Sequence, residues 1–352
     1  MANIAQAIRL ALHVGETRLG VTDIFGEDVG PPLGGVFTCT QGLDHTWNSP
    51  LDERGIIGTA MGLALAGQRA VAEIQFCDYV FNTIDLLKLA GSSSWSSVGQ
   101  YPMPLVVMTP VGSGIHGSLY HSHSFDAMMT HIPGWKTVLP STPLDAYGLL
   151  ISAIEDPDPV MFLFPKALIR VVGAERIPGE PEDPRELARM IDAPLGDARK
   201  GWKPRWPELP PFSIPIGKSK TLRPGTHVTV VSYGRTAPLC KDAADELATE
   251  GISAEVIDLR TLVPYDQDAI ESSVRRTGRL LVVNEDTEVT NFGEHLIRVL
   301  LETCFYELEA PPRLLAGAHT PGIGLAWTLE EAQVPQKPSI IRAIRELAST
   351  RA

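Results

Sequence analysis

Short apolar runs alternate with segments of helical period along nearly the whole chain, and this alternation limits the fold more than any other feature. Leu105-Val106-Val107-Met108 is an unbroken apolar run, the pattern of a strand covered on both faces, and Val228-Thr229-Val230-Val231-Ser232 reads as another strand. Between such runs lie helical segments. Ile4, Ala7, Ile8, Ala11 and Leu12 recur at helical spacing, and Pro143–Glu155, Ala237–Glu250, Asp266–Arg276 and Asn291–Tyr306 read as further helices. Strand–helix alternation of this kind predicts an α/β protein with mainly parallel, doubly wound sheets. The alternation lapses once, where Pro178, Pro181, Pro184, Pro204, Pro207, Pro210, Pro211 and Pro215 crowd together. The chain therefore divides into a first domain (1–171), a proline-rich connection (172–215) and a second α/β domain (216–352), each domain of ordinary size.

Inside the first domain, Ser49 to Gly67 carries a helix-start signature. Ser49 suits a cap, Pro50 suits a first helical position, and Asp52 and Glu53 place carboxylates in the first turn. The helix that follows is built from small residues, with Gly58, Ala60, Gly62, Ala64 and Ala66. Glycine within a helix costs roughly 1 kcal/mol relative to alanine, so a close approach by another backbone is expected to compensate. A glutamate in a first helical turn is often there only to suit the helix dipole, and the residues alone leave Glu53 ambiguous.

A net charge of −12 argues against nucleic acid as the main partner, because phosphate backbones are bound through a basic footprint. Cys39, Cys77, Cys240 and Cys304 are scattered without a C-x-x-C pair, which points to reduced thiols rather than a disulfide framework or zinc site. No apolar run is long enough to span a bilayer, and the first residues lack the pattern of a signal or transit peptide. The expected location is the bacterial cytoplasm, or the mitochondrial matrix for a processed chain.

Two loops could carry chemistry. Gly26-Glu27-Asp28-Val29-Gly30 follows a predicted strand, and open α/β sheets bind ligands beyond the carboxyl ends of their strands. The second loop, Gly112 to Ser124, bears His116, His121 and His123, with His131 shortly after. Its histidines suit acid–base work on a small molecule; a His-x-His metal site lacks matching partners. No P-loop, nucleophile elbow or calcium loop is present in the sequence.

Taken together and in order, several motifs resemble the β subunits of thiamine-diphosphate-dependent 2-oxo acid dehydrogenases, a transketolase-like family. They are Gly26-Glu27-Asp28-Val29-Gly30, Gly34-Gly35-Val36-Phe37, Pro50-Leu51-Asp52-Glu53-x-Gly55, Glu73-Ile74-Gln75-Phe76-x-Asp78-Tyr79, His116-Gly117-Ser118-Leu119-Tyr120-His121-Ser122 and Asp258-Leu259-Arg260-Thr261-Leu262-x-Pro264. Tyr120-His121-Ser122 and Cys304-Phe305-x-x-Leu308-x-Ala310-Pro311 lean towards the branched-chain type.

The resemblance implies a transketolase-like pyrimidine-binding domain followed by a transketolase-like C-terminal domain. It implies oxidative decarboxylation of a branched-chain 2-oxo acid and transfer of the acyl group to a lipoyl domain. Glu53 is then the partner of the cofactor's N1′ nitrogen and should sit in an apolar pocket. Tyr79 and Leu51 pack by the aminopyrimidine, Glu27 is an acidic group near the cofactor, and His121 acts in acyl transfer to the lipoyl group. A structural potassium ion is implied near Leu105, Ala153, Ile154, Asp156 and Asp158. The Gly-Asp-Gly…Asn motif that holds Mg²⁺ and the diphosphate is missing from the sequence, which the resemblance assigns to an α subunit in an α₂β₂ heterotetramer that serves a lipoyl-bearing acyltransferase core. Segments 285–292 and 320–324 depart from the family pattern. The same chemistry on pyruvate, acetoin or a specialised keto acid is the alternative, and a non-catalytic stabilising subunit is a third reading.

Overall fold

The structure, a computed structural model, describes residues 1–350. It contains two compact units, one of residues 1–110, 132–164 and 168–216, the other of residues 111–131, 165–167 and 217–352.

The first unit begins with α1 (Ile4–Arg18), β1 (Val21–Gly26), β2 (Thr46–Asn48), α2 (Glu53–Leu65), β3 (Arg69–Glu73), α3 (Ile84–Ser96) and β4 (Leu105–Val111). The chain then enters the second unit, where it forms α4 (Asp126–Thr130), and returns for β5 (Lys136–Val138), α5 (Pro143–Glu155), β6 (Val160–Pro165) and α6 (Pro184–Ile191). The strands lie in the order β5-β6-β4-β3-β1-β2. β1 pairs in parallel with β2 and β3, β3 with β4, and β5 with β6. All seven residues of β4 are buried, as its unbroken apolar run requires.

α1 and α5 supply one face of this unit's core, through Ile4, Ile8, Leu12, Leu150 and Ile154. Each start has a local cause. Asn3 caps α1 reciprocally with Gln6, Asn3 Oδ1 accepting Gln6 N–H at 2.9 Å and Gln6 Oε1 accepting Asn3 N–H at 3.1 Å. Thr142 Oγ1 accepts Asp145 N–H at 3.2 Å and Pro143 opens α5. The proline-rich segment is tied to this unit. Arg9, 1% exposed, donates to Asp192 Oδ1 at 2.9 Å and Ile191 O at 2.5 Å, closing α6 onto α1.

Two helices differ from their sequence reading. α2 starts at Glu53 with Asp52 at its cap, three residues beyond the Ser49 expected there; Ser49 Oγ instead donates to Pro50 O at 3.0 Å. α3 continues through Ser92–Ser96, where the serine run reads as a break. Ser92 Oγ bonds back to Lys88 O at 2.9 Å, so the hydroxyl is satisfied within the helix rather than competing with it.

The second unit carries β7 (Lys220–Arg223), β8 (Val228–Ser232), α7 (Thr236–Ala248), β9 (Ala254–Asp258), β10 (Thr261–Val263), α8 (Gln267–Thr277), β11 (Leu280–Thr287), α9 (Phe292–Thr303), β12 (Arg313–Gly317), α10 (Trp327–Gln333) and α11 (Lys337–Ser349). Its sheet runs β12-β11-β8-β9-β7, parallel except for the antiparallel edge strand β7. α7 and α11 cover one face, burying Cys240, Ala244, Ile340 and Ile344 on Val228, Val230 and Leu281. All four cysteines are buried and none is in a disulfide. No described helix is long and apolar enough to cross a membrane.

Candidate active site

The carboxyl end of β1, the start of α2 and the turn after β3 converge in the first unit. β1 and β3 pair with Gly26 opposite Glu73, so the loops leaving both strands emerge side by side. Gln75 Nε2 donates to Glu27 O at 3.3 Å and Asp28 Oδ2 at 3.2 Å, tying those loops together. Gly30 N–H donates to Asn48 Oδ1 at 2.6 Å, fixing the return of the loop onto β2.

Glu27, Glu53 and Tyr79 thereby share one electrostatic environment. The Glu27 carboxyl is pushed above its ordinary value by burial first, then by the neighbouring charges of Asp28 and Glu53. The Tyr79 phenol is also raised, by burial and then by Asp78, Glu27 and Glu53. Concentrated negative charge beside an aromatic face favours a cationic or hydrogen-bond-donating heteroaromatic ligand. Tyr79 is held by an edge-on contact with Phe76, ring centroids 5.9 Å apart, and Phe76 packs in turn on Phe37 at 6.1 Å.

Glu53 is half-exposed. Asn82 Nδ2 donates to its Oε2 at 3.1 Å, and Arg54 beside it pairs with Asp85, Nη2 to Oδ2 at 2.8 Å. Leu51 is 74% exposed. The described residues therefore supply one hydrogen bond and one aromatic neighbour to Glu53, without the closed apolar wall expected around it. On the same helix, a Cβ added to Gly58 or Gly62 would meet nothing within 4 Å. Gly58 and Gly62 thus make a bare stripe on the exposed side of α2, while Ala60 and Ala64 are buried.

Glu73 lies beneath this cluster, fully buried at the end of β3. Burial pushes its carboxyl up to about 8, and among the described residues its Oε2 has no hydrogen-bond partner. The Glu-Ile-Gln-Phe motif contains it, but nothing local in the sequence signals that this glutamate, rather than Gln75, points inward.

The histidine-bearing loop belongs to the second unit. Gly112 adopts φ +85° and a Cβ there would overlap the Glu285 carboxylate. Glu285 Oε2 accepts Ser113 N–H at 3.1 Å and Ser113 Oγ–H at 2.9 Å, with Arg235 Nη1 at 3.7 Å. Glu330, 4% exposed, accepts the N–H groups of Gly114 and His116, and its Oε2 lies 2.9 Å from His116 Nδ1. His121 Nδ1 lies 3.2 Å from Gly117 O; donation to that carbonyl keeps the proton on Nδ1 and leaves the acceptor lone pair on Nε2. Glu285 belongs to the atypical 285–292 segment, so that segment scaffolds the loop. Asn82 and Glu330 are site-shaping residues that sequence reasoning misses. Each acts across a long sequence separation and sits in no motif.

The residues implied for potassium cluster in the first unit, at the start of β4 and the end of α5. Ile154 O accepts from Arg69 Nη1, and Asp156 O lies 3.5 Å from the same nitrogen. Lys136 Nζ lies 2.7 Å from both carboxylate oxygens of Asp156 and 3.3 Å from Asp158 Oδ2.

Comparison with known proteins agrees with this architecture. Residues 2–172 match the transketolase pyrimidine binding domain family, and residues 217–340 match the transketolase C-terminal domain family. The chain is 36% identical over 351 residues to the mitochondrial 2-oxoisovalerate dehydrogenase subunit beta 2 of Arabidopsis thaliana, covering 97% of this chain and 88% of that one. It is 38% identical to the 2-oxoisovalerate dehydrogenase subunit beta of Pseudomonas aeruginosa, over 90% and 87% of the two chains. It is 36% identical to the pyruvate dehydrogenase E1 component subunit beta of Acholeplasma laidlawii, over 99% and 97%. Among solved structures, a split-gene transketolase described as an inactive beta4 tetramer superposes with a TM-score of 0.70 at 17% identity, covering 99% of this chain and 98% of that one, a likeness of fold. The chain belongs to the family of 2-oxo acid dehydrogenase β subunits, built from the transketolase pyrimidine-binding and C-terminal domains.

Proposed function

We propose that this chain is the catalytic β subunit of a thiamine-diphosphate-dependent 2-oxo acid dehydrogenase acting on branched-chain 2-oxo acids. The observation that carries the reading is the shared environment of Glu27, Glu53 and Tyr79 beyond the end of β1, in a chain so similar to 2-oxoisovalerate dehydrogenase β subunits.

The donor set suits an aminopyrimidine. Glu53 offers a carboxyl for a ring nitrogen, Tyr79 an aromatic face, Leu51 an exposed apolar contact, and Glu27 a second carboxyl, raised above its ordinary value by burial and by Asp28 and Glu53. Thiamine diphosphate, when bound, supplies the nucleophilic carbon and the electron sink that loss of CO₂ from a 2-oxo acid requires. Glu53 shares a proton with the N1′ position and Asn82 fixes its orientation. His121, with its acceptor on Nε2, handles the proton in acyl transfer to a lipoyl group.

The partner in this reading is an α chain, which brings Mg²⁺ and the diphosphate-binding motif that this sequence lacks. The bare face of α2, with Gly58 and Gly62, is where it closes on Glu53 and supplies the missing apolar wall. The complex is an α₂β₂ heterotetramer delivering acyl groups to a lipoyl-bearing acyltransferase core, in the cytoplasm or the mitochondrial matrix. The potassium ion implied at Leu105, Ala153, Ile154, Asp156 and Asp158 does not fit these residues, because Arg69 and Lys136 already provide cations there.

The test is co-expression with an α subunit and assay of 2-oxo acid decarboxylation with an artificial electron acceptor. Turnover of branched-chain 2-oxo acids in preference to pyruvate is expected. Preference for pyruvate would favour the second reading, which the similarity to the Acholeplasma protein supports. An assembled tetramer that binds thiamine diphosphate and turns over no 2-oxo acid would overturn both.

A further inference from the structure

We infer that the guanidinium of Arg69, seconded by the ammonium of Lys136, occupies the cation position that the family resemblance implies for potassium, so that this chain secures the end of α5 without a metal ion. The argument starts from the helix. α5 ends at Glu155, where Ser152 O accepts the Asp156 N–H at 3.1 Å, and the carbonyls beyond Ser152 are left for partners outside the helix. The partial negative charge of a helix C-terminus adds to theirs, and Asp156 and Asp158 follow directly. Carbonyl oxygens, a helix end and two carboxylates together demand positive charge.

The chain meets that demand from two strands. Arg69 opens β3 and directs Nη1 at Ile154 O, with Asp156 O 3.5 Å away. Lys136 opens β5 and grips Asp156 through both carboxylate oxygens at 2.7 Å, and Asp158 at 3.3 Å. Arg69 thus meets backbone carbonyls while Lys136 meets the two carboxylates, and the neighbouring turn is pinned by Met103 N–H donating to Pro157 O at 3.2 Å. A potassium ion at the Ile154 carbonyl would have to displace the guanidinium or sit against it, like charge on like.

The inference concerns the stability of this chain and is independent of the proposed reaction. The test compares thermal melting of the full-length protein in KCl, NaCl and choline chloride at one ionic strength of about 0.1 M, where general screening is equal. An ion that binds only the folded state raises stability as the logarithm of its concentration over Kd. The wild-type chain is expected to melt within about 1 °C in all three salts. Arg69→Ala is expected to melt several degrees lower in choline chloride and to recover in KCl in a saturable way. A saturable, potassium-specific rise in wild-type melting temperature would overturn the inference. So would an Arg69→Ala chain that keeps the wild-type melting temperature in choline chloride and ignores potassium. If Arg69→Ala folds in neither salt, the wild-type titration decides alone, and Arg69→Lys, which keeps the charge, is expected to fold without potassium.

Discussion

Asn82 donates its amide to the Glu53 carboxylate, Nδ2 to Oε2 at 3.1 Å. The bond joins the turn after β3 to the first residue of α2 through Oε2 alone. Asn82→Ala should leave assembly and the KM for 2-oxo acid unchanged while lowering kcat about tenfold, the usual scale for removing a group that orients a functional ligand. Steady-state kinetics of the reconstituted tetramer measure the split; a change in KM alone would remove Asn82 from the positioning role.

Gly62 tests the surface assigned to the α chain. Its Cβ position is open, with nothing within 4 Å. Gly62→Ala should therefore stabilise the isolated chain by up to about 1 kcal/mol, through helix propensity alone. Gly62→Leu should fold equally well and yet fail to form the tetramer, as read by native mass spectrometry. A tetramer of undiminished affinity would move the interface elsewhere.

Glu73 makes stability depend on pH. The unfolded chain releases this proton near the ordinary value of 4.5, the folded chain only near 8. Between those values the folded state binds more protons, so this carboxyl's contribution falls as pH rises and levels off above about 8. The slope is limited to roughly 1.4 kcal/mol per pH unit. Glu73→Gln keeps the shape and removes the titration. Relative to wild type it should gain stability between pH 5 and 8 in urea melts; parallel pH profiles would show that Glu73 does not titrate in that window.

Gly112 tests the scaffold of the histidine loop. At φ +85°, with the Glu285 carboxylate where a Cβ would lie, Gly112→Ala combines backbone strain with an overlap and should cost about 2 kcal/mol or more. Urea unfolding measures it, and hydrogen exchange should report faster opening of residues 112–124. A change below about 0.5 kcal/mol would mean that the loop adapts freely.

Much of the fold was legible because its signals are local. Pro143–Glu155 reads correctly since Thr142 and Pro143 mark its start and a run of buried residues its body. β4 reads correctly because its start is an unbroken apolar run, and β8 because three valines mark a strand that is buried throughout. Short strands such as β2, β7 and β10 are too brief for any period to register. The start of α2 was misplaced because Ser49 and Pro50 imitate a cap that Asp52 occupies. In the site, Glu27, Glu53 and Tyr79 stand out through motifs. Glu330 does not, since it meets His116 across 214 residues of sequence, and the atypical segment holding Glu285 gives no sign of its contact with Ser113, 172 residues away. Arg69 escaped notice for the same reason, its partner Ile154 lying 85 residues on.

The role of Glu53 is open to one direct measurement, the exchange of the C2 proton of bound thiamine diphosphate in deuterated buffer, followed by quenched-flow NMR on the tetramer reconstituted with its α chain. Glu53→Gln should still assemble and bind cofactor, while exchange falls by about a hundredfold or more, the scale of positioned acid–base catalysis. Exchange at the wild-type rate in that variant would contradict the account.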